Sequence, residues 1–550
     1  MLCQLGITLP TLPPRIQDTN APPNAFPRDP ANTEGNWTDP RGHTVVRTAF
    51  GQWHTYDSYS LDTDLATRML GGAMAPFGYY GPFSNLRYTD IELFRMKDGT
   101  PVLSTEDWWI KRRPEILKDV QDNLYGHIPD RSLWPSITWS VGAVTTGAAN
   151  GFAFKQKVIT GTIDTSSYPE IRNSPMIQCT LRTPLDKDGQ KTPVIIVFGG
   201  VTAWQFTAPR GYGVCGFSQS LLQPDSGGAN LSSYIIGLIN KGNWRKPDDW
   251  GALAAWSWGV SRLIDYFETD PDVDATKIGL EGHSRFGKAT LVTAAYDDRI
   301  VAAFPSCGGA LGTSWARRAY GETLEFVASS TSEYHWVAGN IMKYCGELSP
   351  GTFWPRKVEN LPVDVHSVMS LIAPRAVITN GGTDTPPGNG DAWQDPRGMY
   401  LAAAVSSSVW DFLGWAGLII PEGTVFTSGP DESAGGTPPF NVAFIDGAVG
   451  WRRHSQGHTD TPDWPTFVEM ASRYFNDNRP VVPDAQSFIL GEGPVNVVGS
   501  VQATADNEPL GNWQVKGGSG AYKFAISHID GQITIADASA LDFKNTSSTH

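Results

Sequence analysis

Cysteine is scarce in this chain, five in 550 residues, and Cys3, Cys179, Cys215, Cys307 and Cys345 are widely spaced with no C-x-x-C pair. An odd, scattered set supplies neither a disulfide framework nor a structural zinc site. Long apolar runs are also missing. Nothing approaches the ~20 residues that cross a bilayer, so no membrane span is predicted. Basic charge is short: 42 Lys and Arg face 56 Asp and Glu, and the net charge of −14 argues against a nucleic-acid partner, because phosphate binding needs a basic face. The start, Met1-Leu2-Cys3-Gln4, lacks a basic region and an apolar core, so no signal peptide is expected there.

Apolar residues are plentiful at 40%, enough for a large core, and the length suggests roughly two to four domains. The 20 tryptophans exceed ordinary packing needs, and flat aromatic faces suit a sugar-binding cleft. The chemistry concentrates in Lys277 to Lys288, where a short apolar strand breaks at Gly282, presents Ser284 and runs into the helical sequence Ala289 to Tyr296. A sharp strand-to-helix turn of this kind lifts a serine hydroxyl above a sheet and aims the first helical N–H groups at a developing oxyanion. The spacing is Gly-x-Ser-x-x-Gly, one residue longer than the common elbow.

A serine nucleophile needs a base and an acid from later strands. Ala373 to Asn380 reads as a buried strand, followed by a Gly/Pro-rich loop with Asp384, Asp391 and Asp395. Val449 to Arg453 reads as the last strand, followed by His454 and His458 and then a final amphipathic helix from Trp464 to Phe475. A zinc reading of His454 and His458, four apart and near Asp460 and Asp463, fails on Gly457 between them and on the missing glutamate of His-Glu-x-x-His.

The segments Gly282 to Lys288, Cys307 to Ala310, Arg317 to Glu322, Tyr334 to Trp336, Leu361 to His366, Ala373 to Arg375 and Asp391 to Pro396 together resemble the glucuronoyl esterases of carbohydrate esterase family 15, especially the bacterial ones. The resemblance spans about Asp98 to Arg479. It implies an α/β fold, the doubly wound three-layer α/β-hydrolase sandwich, and a serine esterase acting on esters of (4-O-methyl-)glucuronic acid without cofactor or metal. The partner it implies is a glucuronate ester of a plant or algal cell-wall polysaccharide, met by a monomer that is secreted or on the cell surface. It implies Ser284 as nucleophile, His458 as base and Arg285 as oxyanion donor, with Lys288, Glu322 and Trp393 as sugar contacts. Many members carry the triad glutamate where this chain has Cys307, and a thiol cannot orient an imidazolium. The acid is therefore expected to be Asp391, in Asp-x-Trp-x-Asp-Pro, with Asp384 as the second choice. An alternative is a carbohydrate acetyl esterase, and another is an inactive glycan-binding or adhesion protein.

Outside that core, residues 1–90 read as a partly disordered N-terminal extension, 91–480 as the esterase domain and 484–550 as a partial domain. The alternation at Phe524 to Ile526, Asp530 to Ala536 and Leu541 to Phe543 resembles a cadherin-like repeat. Its ~67 residues fall short of the ~100 of a full sandwich, so the last strands are expected to be missing, and calcium finds little support. The Phe198-Gly199-Gly200 turn is a second candidate source of an oxyanion N–H.

Overall fold

The computed structural model describes residues 93–316, 333–344, 361–383, 394–422 and 438–475, single residues between these stretches, and six short strands towards the chain ends. The chain divides into two compact units, Met1–Ile91 with Ile116–Tyr474, and Glu92–Glu115 with Phe475–His550.

In the first unit an 11-stranded sheet carries the site. Its strands in chain order are β1 (Ile137–Val141), β2 (Thr145–Ala149), β3 (Phe152–Ile163), β4 (Met176–Pro184), β5 (Thr192–Phe198), β6 (Gly213–Phe217), β7 (Val273–His283), β8 (Ile300–Ser306), β9 (Ala376–Gly381), β10 (Ala443–Phe444) and β11 (Val449–Arg453). The spatial order is β10-β11-β9-β8-β7-β5-β6-β4-β3-β1, with β2 on β3. From β11 to β6 the neighbours run parallel, while β10 and the β4, β3, β1 flank are antiparallel. A parallel sheet is covered on both faces, and its strands read as continuous apolar runs. β8 accordingly is buried at every position.

Helices α1 (Ala252–Phe267), α2 (Arg285–Tyr296), α3 (Val365–Ser370), α4 (Pro396–Phe412) and α5 (Trp464–Phe475) accompany the parallel strands. α1 is apolar nearly all round and deeply buried, as expected of a helix inside a large core. Gly251 caps it because a Cβ there would run into the Trp336 backbone. The strands and helices expected around the elbow, at 300–305, 375–380, 397–412, 449–453 and 464–475, are present within a residue or two. The antiparallel flank was not anticipated. Asn36–Thr38, Thr44–Arg47 and Trp53–Thr55 form a separate antiparallel sheet.

In the second unit, Arg112 donates to Leu93 O at 3.0 Å and pairs with Glu115 at 2.6 Å. Strands Val497–Ser500, Phe524–Ile526 and Gln532–Ile535 form an antiparallel sheet, the last two at positions where the sequence alternates. The rest of the cadherin-like segment lies outside the described residues.

Candidate active site

The turn from β7 into α2 forces Ser284 to φ 61°, ψ −123°, a region a residue with a Cβ occupies only when its surroundings over-determine it. The surroundings do so through two glycines. A Cβ on Gly282 would strike the backbone of Phe286, and one on Gly287 would strike Ser306 O. Ser284 N donates to Ser306 O at 2.9 Å, fastening the turn to β8. Ser284 thus stands at the N-terminus of a 12-residue helix, whose free N–H groups and dipole favour negative charge.

His458 lies on the loop between β11 and α5. Its Nδ1 is 2.7 Å from Asp391 Oδ1, and its ring centroid is 4.4 Å from that of His283, the residue before Ser284. Burial, then the proximity of His458, push His283 down to about 4, so it packs there as a neutral ring. Asp391 is wholly buried, and its Oδ2 accepts from Gly382 N–H at 2.6 Å. Both oxygens are thereby aimed. Asp384, the second choice for the acid, lies outside the described residues.

Cys307 sits at the end of β8 with φ 44°, its N–H donating to Asn380 Oδ1 at 2.8 Å and its Sγ to Thr459 O at 3.7 Å. Burial, reinforced by the Asp391 charge, holds the thiol well above its ordinary range and so protonated. Cys307, Asp391 and His458 offer donor atoms within 4.8 Å of one another and are the described residues best placed to hold a metal. Each of the three is already engaged by another protein group. His454 and His458 share a loop, not a helix, so the His-x-x-x-His face of a zinc site is not formed.

Arg285 Nη1 donates to Asp225 Oδ2 at 2.8 Å, and its guanidinium lies 5.3 Å from the Trp336 ring centroid. Asp225 also accepts from His335 Nε2 at 2.8 Å and Trp336 Nε1 at 2.6 Å. Burial opposes the Asp225 charge, but hydrogen bonds from His335, Arg285 and Trp336 outweigh it and hold the carboxyl well below the usual carboxylate range. Asp225 was not singled out in the sequence, and its only signal is a place in a Pro-Asp-Ser-Gly-Gly loop. In the second candidate oxyanion turn, Gly199 N–H is spent on Phe217 O at 3.1 Å. Only the later N–H groups of that turn remain for an oxyanion. Both Gly199 and Gly200 face open space.

Lys288, one turn into α2, is buried and donates all three hydrogens: to Gly308 O and Ala310 O at 2.7 Å and to Glu322 Oε2 at 2.6 Å. Glu322 Oε2 also accepts from Ala310 N–H at 2.9 Å. The pair therefore braces the loop after Cys307. Burial, then the charge of Glu322, push the nearby Glu333 carboxyl up to about 8. Trp393 lies outside the described residues.

A strained serine elbow on a parallel sheet, with a histidine loop and a buried carboxylate after later strands, defines an α/β-hydrolase. A family model described as "Glucuronyl esterase, fungi" matches residues 170–414. A solved glucuronoyl esterase from Teredinibacter turnerae is 31% identical and superposes with a TM-score of 0.59 over 69% of this chain and 88% of its own. The carbohydrate esterase MZ0003, from an unknown prokaryote, is 28% identical over 70% of this chain and 90% of its own. A 4-O-methyl-glucuronoyl methylesterase from Hypocrea jecorina is 27% identical over 60% of this chain and 63% of its own. The chain belongs to the glucuronoyl esterase family and is a carboxylic ester hydrolase.

Proposed function

We propose that the chain hydrolyses esters of (4-O-methyl-)glucuronic acid, such as those that join glucuronoxylan to lignin. The reading rests on the His458 to Asp391 hydrogen bond of 2.7 Å beside the Ser284 elbow, together with the likeness to proteins named for that activity.

Ser284 Oγ attacks the uronate C6 carbonyl while His458 Nε2 takes its proton and Asp391 stabilises the imidazolium. The tetrahedral oxyanion meets the Arg285 N–H and guanidinium, aided by the α2 dipole. Collapse expels the alcohol, protonated by His458, and water repeats the sequence on the acyl-enzyme to release the acid. Each step conserves charge and needs no redox partner. Glu322 and Trp393 contact the sugar. Lys288 acts through Glu322, since its hydrogens are committed to Glu322 and two carbonyls. The substrate is a wall polymer, so the enzyme works outside the cell, as a monomer. The strands Val497–Ser500, Phe524–Ile526 and Gln532–Ile535 belong to a cadherin-like segment.

Benzyl or methyl glucuronate assayed beside acetylated xylan tests the reading. Turnover of the uronate ester alone is expected. Turnover of acetylated xylan alone would replace it with an acetyl esterase, and failure to label with a fluorophosphonate would remove the serine mechanism.

A further inference from the structure

His454 plays no part in the steps above, yet it is fully buried four residues before the base. Its Nδ1 lies 2.7 Å from Asp463 Oδ2, and its Nε2 lies 2.9 Å from the carbonyl oxygen of Gly457. A peptide carbonyl can only accept. The Asp463 carboxylate is fixed as an acceptor as well, because Arg452 donates to Oδ1 and Asn380 Nδ2 donates to Oδ2. A neutral imidazole has one N–H and one lone pair, so it would set a lone pair against an oxygen at one of these two contacts. Only the imidazolium satisfies both.

We infer that His454 is a positioning residue for this esterase, a doubly protonated imidazolium that clamps the peptide preceding His458 and so sets the base against Asp391. The inference rests on the reading of His458 as the base. The clamped peptide is closely surrounded. A Cβ on Gly382 would collide with the carbonyls of Gln456 and Gly457, and Thr383 N–H donates to Gln456 O at 2.7 Å. Gly382 N–H in turn holds Asp391 Oδ2. The base loop and the acid loop therefore interlock, and His454 secures one side of the lock.

The charged and titratable groups around His454 are Asp463 at the turn into α5, Asp391 on the loop after β9 and His283 at the end of β7, with Arg452 on β11 paired to Asp463. Burial opposes the cation, but the hydrogen bond and charge of Asp463 and the Gly457 carbonyl outweigh it and raise His454 above its ordinary 6.5. A raised histidine keeps its contribution below the ordinary value and loses it as pH climbs through the folded one. The one remaining N–H stays on the stronger, charged Asp463 contact, so alkaline titration of His454 releases Gly457 and misplaces the base.

The test compares wild type with His454→Gln and His454→Ala on a glucuronate ester, alongside ring-nitrogen NMR of the wild-type histidines. Gln can donate to Gly457 O without titrating. His454→Gln should keep kcat within about tenfold and lose the alkaline fall, whereas His454→Ala should lower kcat by about 10²-fold, the scale of a small misplacement, with KM little changed. An alkaline fall unchanged in His454→Gln, or a normal kcat in His454→Ala, would overturn the clamp. The NMR arm needs no turnover. Both nitrogens of His454 should be protonated at neutral pH, and a single protonated nitrogen sinks the inference even if the substrate proves to be another ester.

Discussion

Asp391 holds Nδ1 of His458 at 2.7 Å although the two residues stand 67 positions apart, on loops that leave neighbouring strands β9 and β11. The pairing removes the need for an acid at the end of β8, where Cys307 stands. Asp391→Asn should lower kcat by roughly 10⁴-fold, because the amide favours the wrong histidine tautomer and cannot stabilise the imidazolium. Cys307→Ala should change kcat by less than about threefold. Steady-state rates on one glucuronate ester decide this, and a crippled Cys307→Ala beside an active Asp391→Asn would reverse the assignment.

Arg285 is preset by Asp225 and Trp336 before any substrate arrives. Arg285→Ala should cost about 2–4 kcal/mol of transition-state stabilisation, the range of a lost oxyanion donor. Asp225→Asn should cost less and act through Arg285, so that the double variant Asp225→Asn/Arg285→Ala is no worse than Arg285→Ala alone. Additive losses in kcat/KM would show that Asp225 acts on its own.

Asp225 also gives a pH signature. Its folded value is depressed, so its contribution to stability is present above the ordinary 3.8 and is lost as pH falls through the folded value. The Tm gap between wild type and Asp225→Asn should be constant from about pH 5 upward and should narrow below about pH 4. A gap that widens in acid contradicts the sign.

The parallel half of the sheet was legible because strands buried on both faces are apolar runs. The antiparallel half was not. Phe152–Ile163 mixes lysines, glutamine and threonines with its apolar residues and reads as surface, yet Lys157 is buried, its ammonium 2.7 Å from both Asp270 and Asp272. Those partners lie more than a hundred residues away, and no local pattern announces such a pair. Asp391 was legible because its motif resembles the family's, and the fold then brought it to His458. Asp225 was invisible for the opposite reason, since its meaning comes from Arg285, His335 and Trp336, all distant in the chain. In the sequence His454 reads only as a metal-ligand candidate, because its partners Asp463 and Gly457 come together once the loop is folded.

Lys288 and Glu322 form a buried ion pair at 2.6 Å. Removing one member of such a pair strands the other charge, at a typical cost of about 3–5 kcal/mol. Lys288→Met should therefore lower stability on that scale, and Lys288→Met/Glu322→Gln should recover much of it. Denaturant unfolding of the three proteins gives the answer, and a Lys288→Met protein as stable as wild type would mean that the pair is solvated.

Glu333 completes this acidic corner. Burial, then the neighbouring Glu322 charge, lift its carboxyl from an ordinary 4.5 to about 8, and its Oε2 is buried without a hydrogen-bond partner. Between those values the folded chain retains a proton on Glu333 that the unfolded chain has released, so the contribution of this group to stability is greatest below 4.5 and declines as pH rises towards 8. Glu333→Gln removes the titration and keeps the shape. Its denaturation midpoint should vary less with pH than that of wild type across this window and should exceed the wild-type midpoint near pH 8. Equal slopes for the two proteins would mean that Glu333 is already ionised at neutral pH, with Lys288 and Arg285 stabilising its charge.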